Sequence, residues 1–91
     1  LALEWARFGV RVNAVAPGPI EGTEGMMRLA PENADDVLKK RVPLGRWGTI
    51  DEVCEAVTFL VSPAGAYVTG ATLLVDGGTS LLGAAMFLDM M

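Results

Sequence analysis

The chain has 91 residues, a formal charge of −4 at pH 7 and 52% hydrophobic residues, which is room for one small domain and not two. The acidic balance, with its basic residues scattered, excludes a nucleic-acid surface, which needs clustered Lys and Arg. A single cysteine, Cys54, and no histidine exclude an internal disulfide, point to a reducing compartment and leave no donor set for a metal site.

The opening "LALEWARFG" reads as a helix already under way. Leu1, Trp5 and Phe8 fall at helical spacing, and Gly9 suits the position just past the helix end. No capping residue precedes Leu1 and the chain opens on Leu, so the expectation is a segment of a longer protein. No signal peptide is visible, and no apolar run reaches the roughly 18 to 20 residues that span a bilayer.

"VRVNAVA", Val10 to Ala16, is Val-rich and bounded by Gly9 and Pro17. It is predicted to be a strand buried on both faces, as in a parallel sheet. Asn13 is the polar exception. A buried Asn needs partners, so it is read as tying neighbouring backbone together, with a catalytic role as the alternative. Pro17-Gly18-Pro19 ends the strand, because Pro has no donor for the ladder and Gly permits a sharp turn.

From Ile20 to Arg41 the pattern is a long excursion with two short helices, around Glu24 to Leu29 and from about Asn33 to Lys40. Asn33 is a candidate N-cap, followed by Asp35 and Asp36 in the first turn. The basic run Lys39, Lys40, Arg41 reads as a helix C-terminus complementing its dipole, or else as an anion site.

"VPLGRWG" (Val42 to Gly48) is turn-rich, and the strongest helix signal follows it. Thr49 and Glu52 have capping-box spacing. Ile50, Val53, Val57, Leu60 and Val61 form one apolar stripe, with Asp51, Glu52 and Glu55 opposite. Ser62-Pro63 ends that helix. "ATLLVDGG" gives a second buried strand, Thr72 to Val75, closed by Gly77-Gly78. Helix, strand, excursion, helix, strand is a β-α-β crossover, which implies a parallel sheet. Two strands do not cover both faces of such a sheet, so further strands are expected outside this sequence.

In open α/β sheets, ligands bind beyond the carboxyl ends of the strands, which is where Pro17 to Thr23 falls. Gly18 and Gly22 would let backbone approach a ligand, the N–H groups of Ile20 and its neighbours would point at it, and Thr23 offers a hydroxyl. Glu24 to Leu29 could close as a lid hinged at Gly22 and Gly25, lined by Met26, Met27 and Leu29. The alternative is a connecting loop whose methionines pack on the core. There is no G-x-G-x-x-G, no Ser-His pair and no Cys-His pair. Tyr67, the only tyrosine, reads as a packed or hydrogen-bonded residue rather than a catalytic one.

The motifs R-V-N-x-V-x-P-G, P-L-G-R-x-G, E-V-x-x-A-V-x-F-L and Y-V-T-G-x-x-x-x-V-D-G-G occur in that order between Leu1 and Gly78. Their combination resembles the C-terminal part of the short-chain dehydrogenases/reductases. The resemblance implies an α/β fold, the C-terminal portion of a single NAD(P)-binding, Rossmann-type doubly wound parallel sheet over residues 1–91, with a substrate lid at about 21–41. It implies that Pro17, Gly18 and Pro19 wall the nicotinamide of NADP or NAD, that the Ile20 backbone holds the carboxamide, and that Thr23 contacts the carboxamide or diphosphate. Asn13 matches a residue that supports the sheet. The helix from Thr49 and the last strand match elements that form subunit contacts, so a homotetramer or dimer is expected. The family's glycine-rich loop and its Tyr-x-x-x-Lys pair have no counterpart in this sequence, so no catalytic residue is assigned.

A narrower likeness lies in "APGPIEGTEGMMRLAP" (Ala16 to Pro31), which looks like the matching stretch of 2,4-dienoyl-CoA reductases, especially the peroxisomal type. There Gly22 displaces the threonine that ordinary relatives place directly after the acidic residue, and Met26, Met27 and Leu29 suit a fatty acyl chain. The implied reaction is NADPH-dependent reduction of a 2,4-dienoyl-CoA thioester in unsaturated fatty-acid β-oxidation. A generic short-chain dehydrogenase, such as a 3-oxoacyl reductase, and a non-catalytic fragment are the alternatives. The last residues, Asp89-Met90-Met91, are not an S-K-L-like import signal, so a cytoplasmic relative is expected. The apolar tail "TSLLGAAMFLDMM" reads as packing at a subunit interface or substrate mouth, or as a disordered end.

Overall fold

The structure is a computed structural model and describes residues 1–22 and 41–81. The two short helices predicted between Glu24 and Lys40, most of the lid, the basic run's Lys39 and Lys40, and the tail beyond Leu81 lie outside the described residues, as do Thr23, Met26, Met27 and Leu29.

The first helix, α1, spans Ala2–Trp5 and tightens into a 3₁₀ turn at Ala6–Phe8. It closes as the sequence predicts. Gly9 has φ +76°, its N–H donates to the Ala6 carbonyl at 3.0 Å, and the Val10 N–H donates to the Trp5 carbonyl at 3.3 Å. This pair of bonds is a Schellman closure, and only glycine takes its left-handed position without strain.

Strand β1 is Ala14–Pro17 and strand β2 is Thr72–Val75. They pair in parallel, Ala14 opposite Thr72 through Pro17 opposite Val75. The predicted span Val10 to Ala16 is therefore corrected at both ends. Before Ala14, the polar groups go to the irregular segment 68–71 and not to a strand. The Val12 N–H donates to Thr69 Oγ1 at 3.1 Å, and the Gly70 N–H donates to the Val12 carbonyl at 2.8 Å.

Beyond Ala16, the ladder runs on through a proline. The N–H groups of Ala14 and Gly18 donate to Ala71 and Val75 at 2.9 and 3.0 Å. Alternate residues thus face β2, and Pro17, which has no donor, falls on the other parity.

Helix α2, Ile50–Val61, packs on both strands. Its N-terminus carries the expected reciprocal capping box: the Glu52 N–H donates to Thr49 Oγ1 at 3.1 Å and the Thr49 N–H donates to Glu52 Oε1 at 3.0 Å. Ser62 ends the helix and Pro63–Gly65 follows as a 3₁₀ turn. The stripe predicted to face the core is only partly covered. Leu60 is buried and Val53 half-buried, whereas Ile50, Val57 and Val61 are exposed.

The strands are likewise not buried on both faces. Leu73 and Val75 are half-buried while Thr72 and Leu74 are exposed, the alternation of a sheet covered on one side. The physical reason is that α2 is the one long helix covering the pair among the described residues. Among the described residues the buried hydrophobic ones are Ile20, Val42 and Leu60. Ile20 and Val42 both lie at the carboxyl end of the sheet, so the described core is concentrated there.

Candidate functional site

Both strands leave the sheet at the same end, and the two exits touch. A Cβ on Gly18 would come within 2.7 Å of the Asp76 Cβ and 2.8 Å of its Cα. Glycine at 18 is therefore required by β2's exit. This packing is a second demand on Gly18, beside the expected approach to a ligand.

Downstream of Gly18 the chain meets the loop from Val42 to Gly48. The Gly48 N–H donates to the Pro19 carbonyl at 3.0 Å and the Glu21 N–H donates to the Gly48 carbonyl at 2.9 Å, a one-residue parallel bridge opposite Ile20. Glu21's N–H is thus committed, and Pro19 has none, so the expected row of ligand-facing N–H groups is narrower than the sequence suggests. Parallel-bridge geometry turns Ile20's own N–H and C=O to the side opposite Gly48. The Ile20 side chain is buried, and a Cβ on Gly48 would meet its Cδ1 at 2.8 Å.

The turn after β2 packs against the same loop. A Cβ on Gly77 would meet Val42 Cγ1 at 2.7 Å, and the Leu44 N–H donates to the Gly77 carbonyl at 3.1 Å. Asp76 organises this turn. Its carboxylate accepts from the N–H groups of Gly78 and Ser80, both at 3.0 Å, and its carbonyl accepts from Thr79 Oγ1 at 2.6 Å. The Ser80 side chain, then the Gly78 and Ser80 N–H groups, hold the Asp76 carboxyl below its ordinary range. Asp76 is thus a cap for the turn at Thr79–Leu81.

Between the strand exits and the loop lies a cleft of about 400 Å³, lined by Pro19, Leu44, Arg46, Glu52 and Asp76 among others. Arg46 and Glu52 pair across it through two parallel bonds, Nη1 to Oε1 and Nη2 to Oε2, each 2.8 Å. The Arg46 guanidinium, then the Thr49 N–H, draw the Glu52 carboxyl down to about 2. Among the described residues, both carboxylates lining the cleft are committed, Glu52 to Arg46 and the helix cap and Asp76 to its turn.

The site residues predicted from sequence divide as follows. Pro17, Gly18, Pro19 and Ile20 are brought together at the sheet's carboxyl end. Thr23, Met26, Met27 and Leu29 lie outside the described residues. Asn13 ties backbone as expected: its Nδ2 donates to the Val68 carbonyl and its Oδ1 accepts from the Ala71 N–H, both at 3.0 Å. Tyr67 is fully exposed, with no hydrogen bond among the described residues, so its reading as a packed or bonded residue is corrected.

Two roles were missed. Arg11 Nη1 donates to the carbonyls of Leu60 and Val68 at 2.6 and 3.1 Å, capping α2's C-terminal end. The Arg46–Glu52 pair was missed as well, although an arginine in P-L-G-R-x-G shortly before a capping-box glutamate was a usable signal. Among the described residues no cluster of His, Cys, Asp or Glu could hold a metal, and no helix is long and apolar enough to cross a membrane.

Residues 1–80 match the family model described as enoyl-(acyl carrier protein) reductase. The peroxisomal 2,4-dienoyl-CoA reductase of Danio rerio is 51% identical over 85 residues, which is 92% of this chain and 28% of that protein. A tropinone reductase homolog of Arabidopsis thaliana is 42% identical over 83 residues, 91% of this chain and 32% of that protein. Among solved structures, a gluconate 5-dehydrogenase from Burkholderia cenocepacia in complex with NADP and tartrate superposes with a TM-score of 0.79 at 46% identity, covering 88% of this chain and 31% of that one. The chain therefore spans less than a third of the length of these relatives. Its strands and helices correspond to the C-terminal part of a Rossmann-type α/β sheet.

Proposed function

The chain belongs to the short-chain dehydrogenase/reductase family, and from that premise we propose that it supplies the nicotinamide wall and substrate lid of an NADPH-dependent reductase acting on 2,4-dienoyl-CoA thioesters. The observation that carries this reading is the exit of β1. Pro17, Gly18 and Pro19 follow a parallel strand at its carboxyl end, where open α/β sheets bind ligands.

The residues present fit the nicotinamide end of NADP. The bridge to Gly48 uses the Pro19 carbonyl and the Glu21 N–H, so Ile20's N–H and C=O lie on the other side of the segment. A backbone N–H and C=O on one side of the segment are the kinds of donor and acceptor that a carboxamide pairs with. The pyrrolidine rings of Pro17 and Pro19 bring no N–H group, so they offer the ring an apolar wall. NADPH, when bound, supplies the hydride. This chain's part is to orient the ring and to cover it. Thr23 contacts the carboxamide or diphosphate, and the lid at about 21–41 places Met26, Met27 and Leu29 along a fatty acyl chain. The proton donor lies outside these 91 residues, and the chain alone is inactive.

The dienoyl-CoA substrate is supported by the 51% identity to the Danio rerio reductase and by the Gly22-Thr23 spacing. A sugar-acid or other generic substrate is the second reading, favoured by the gluconate 5-dehydrogenase's TM-score of 0.79. The exposed apolar residues Ile50, Val57, Phe59 and Val61 of α2 and Leu74 of β2 suit contact with a second copy in a dimer or tetramer. The free Cys54 suits a reducing compartment such as the cytoplasm.

NADPH fluorescence titration tests the reading, with the isolated 91-residue chain and the complete protein that carries it side by side. Binding by the complete protein alone is expected, together with turnover of a 2,4-dienoyl-CoA in preference to a 3-oxoacyl thioester or gluconate. Failure of the complete protein to bind NADPH contradicts the reading. Binding with turnover of gluconate alone replaces the substrate.

A further inference from the structure

A continuous series of short contacts leads from the first turn of α2 to the segment that carries Ile20. It begins at Glu52, which is fixed in the helix by its capping bonds to Thr49. Its two carboxylate oxygens hold the Arg46 fork at 2.8 Å each. Arg46 Nη1 also donates to the Trp47 carbonyl at 3.0 Å, which orients the peptide joining Trp47 to Gly48. The N–H of that same peptide belongs to Gly48 and donates to the Pro19 carbonyl at 3.0 Å, while the Gly48 carbonyl accepts from Glu21 at 2.9 Å. The last contact is steric, since Gly48 leaves too little room for a Cβ beside Ile20 Cδ1.

One peptide plane therefore carries both the guanidinium contact and the bond to Pro19. Rotating it breaks one or both. A planar fork with five donors can hold a carboxylate by two bonds and still donate to the adjoining carbonyl, which an ammonium cannot reproduce.

We propose that Arg46, clamped by Glu52, is a positioning residue for the coenzyme: it fixes the Trp47–Gly48 peptide, which sets the plane in which the Ile20 backbone meets the nicotinamide carboxamide. This inference rests on the placement of the nicotinamide against Ile20 given above. Arg46 touches neither coenzyme nor substrate in this scheme. It acts through Gly48 and Pro19.

Arg46 gives a cleaner test than Glu52, because Glu52 also closes the helix cap. The variants are Arg46→Ala, Arg46→Lys and, as a stability control in the same helix–sheet layer, Val53→Ala, each in the complete protein. The measurements are the NADPH dissociation constant by fluorescence and the thermal midpoint. Arg46→Ala is expected to weaken NADPH binding at least fivefold. Arg46→Lys should recover only part of that loss, and Val53→Ala should lower the thermal midpoint with NADPH affinity unchanged. Wild-type binding with Arg46→Ala unchanged overturns the proposal. So does an equal loss of affinity in Val53→Ala, which would reduce the effect to general destabilisation, or full recovery by Arg46→Lys, which would reduce it to charge. Wild type that binds no NADPH overturns instead the reading on which the proposal rests.

Discussion

Gly18 and Asp76 meet where the two strands leave the sheet, so closely that a Cβ on Gly18 would lie 2.7 Å from the Asp76 Cβ. The atoms opposing it are a backbone Cα and the first side-chain carbon, neither of which can swing aside. Asp76 is further pinned by the bonds its carboxylate accepts from Gly78 and Ser80. Gly18→Ala must therefore push the exits apart, at a cost of about 1–3 kcal/mol for the overpacking. Thermal or urea unfolding of the complete protein should show that loss, accompanied by weaker NADPH binding. A stability equal to wild type would mean that the strand exits do not touch.

Asn13→Ala should destabilise by about 1–3 kcal/mol, because it strands the Ala71 N–H that Asn13 Oδ1 accepts at 3.0 Å. The Val68 carbonyl keeps a donor from Arg11, so the loss concentrates at Ala71. Hydrogen exchange checks this directly: the Ala71 amide should exchange faster in the variant, whereas the Gly9 amide, closed by the Ala6 carbonyl, should not change.

Acid should weaken the protein through Glu52. Its carboxyl is drawn from 4.5 to about 2 by Arg46 and Thr49. A group whose folded pKa is depressed stabilises above its unfolded pKa and loses that contribution as pH falls towards the folded one. The window for Glu52 is thus from about pH 4.5 down to about 2. Urea midpoints measured across that range should fall for wild type and fall less for Glu52→Gln, whose amide does not titrate. Asp76, also depressed, leaves some acid sensitivity in both. Parallel curves for the two proteins would mean that the Arg46–Glu52 pair does not form in solution.

What the sequence disclosed was mostly local. The Thr49–Glu52 capping box, the Gly9 closure and the bounds of the second strand each depend on residues a few positions apart, and each formed as expected. The misreadings came from distant partners. The sequence puts the start of β1 too early because the groups that satisfy Val12 and Asn13 come from Val68 to Ala71, more than fifty residues on. Proline at 17 reads as the end of the ladder because the side of the strand that β2 occupies cannot be read from one strand alone. The contact of Gly18 with Asp76 is not legible in the sequence, because Asp76 lies 58 positions further along the chain. Val57, Val61 and Leu74 are more exposed than their apolar character suggests, because whatever covers them lies outside the described residues.

The proposed placement of the nicotinamide is what joins these observations to catalysis, and intermolecular NOEs on the complete protein loaded with NADPH test it. Contacts from the nicotinamide protons to the ring protons of Pro17 and Pro19, with a shift of the Ile20 amide on binding, are the expected result. Bound NADPH whose nicotinamide protons show contacts only to residues away from Pro17, Pro19 and Ile20 would contradict it.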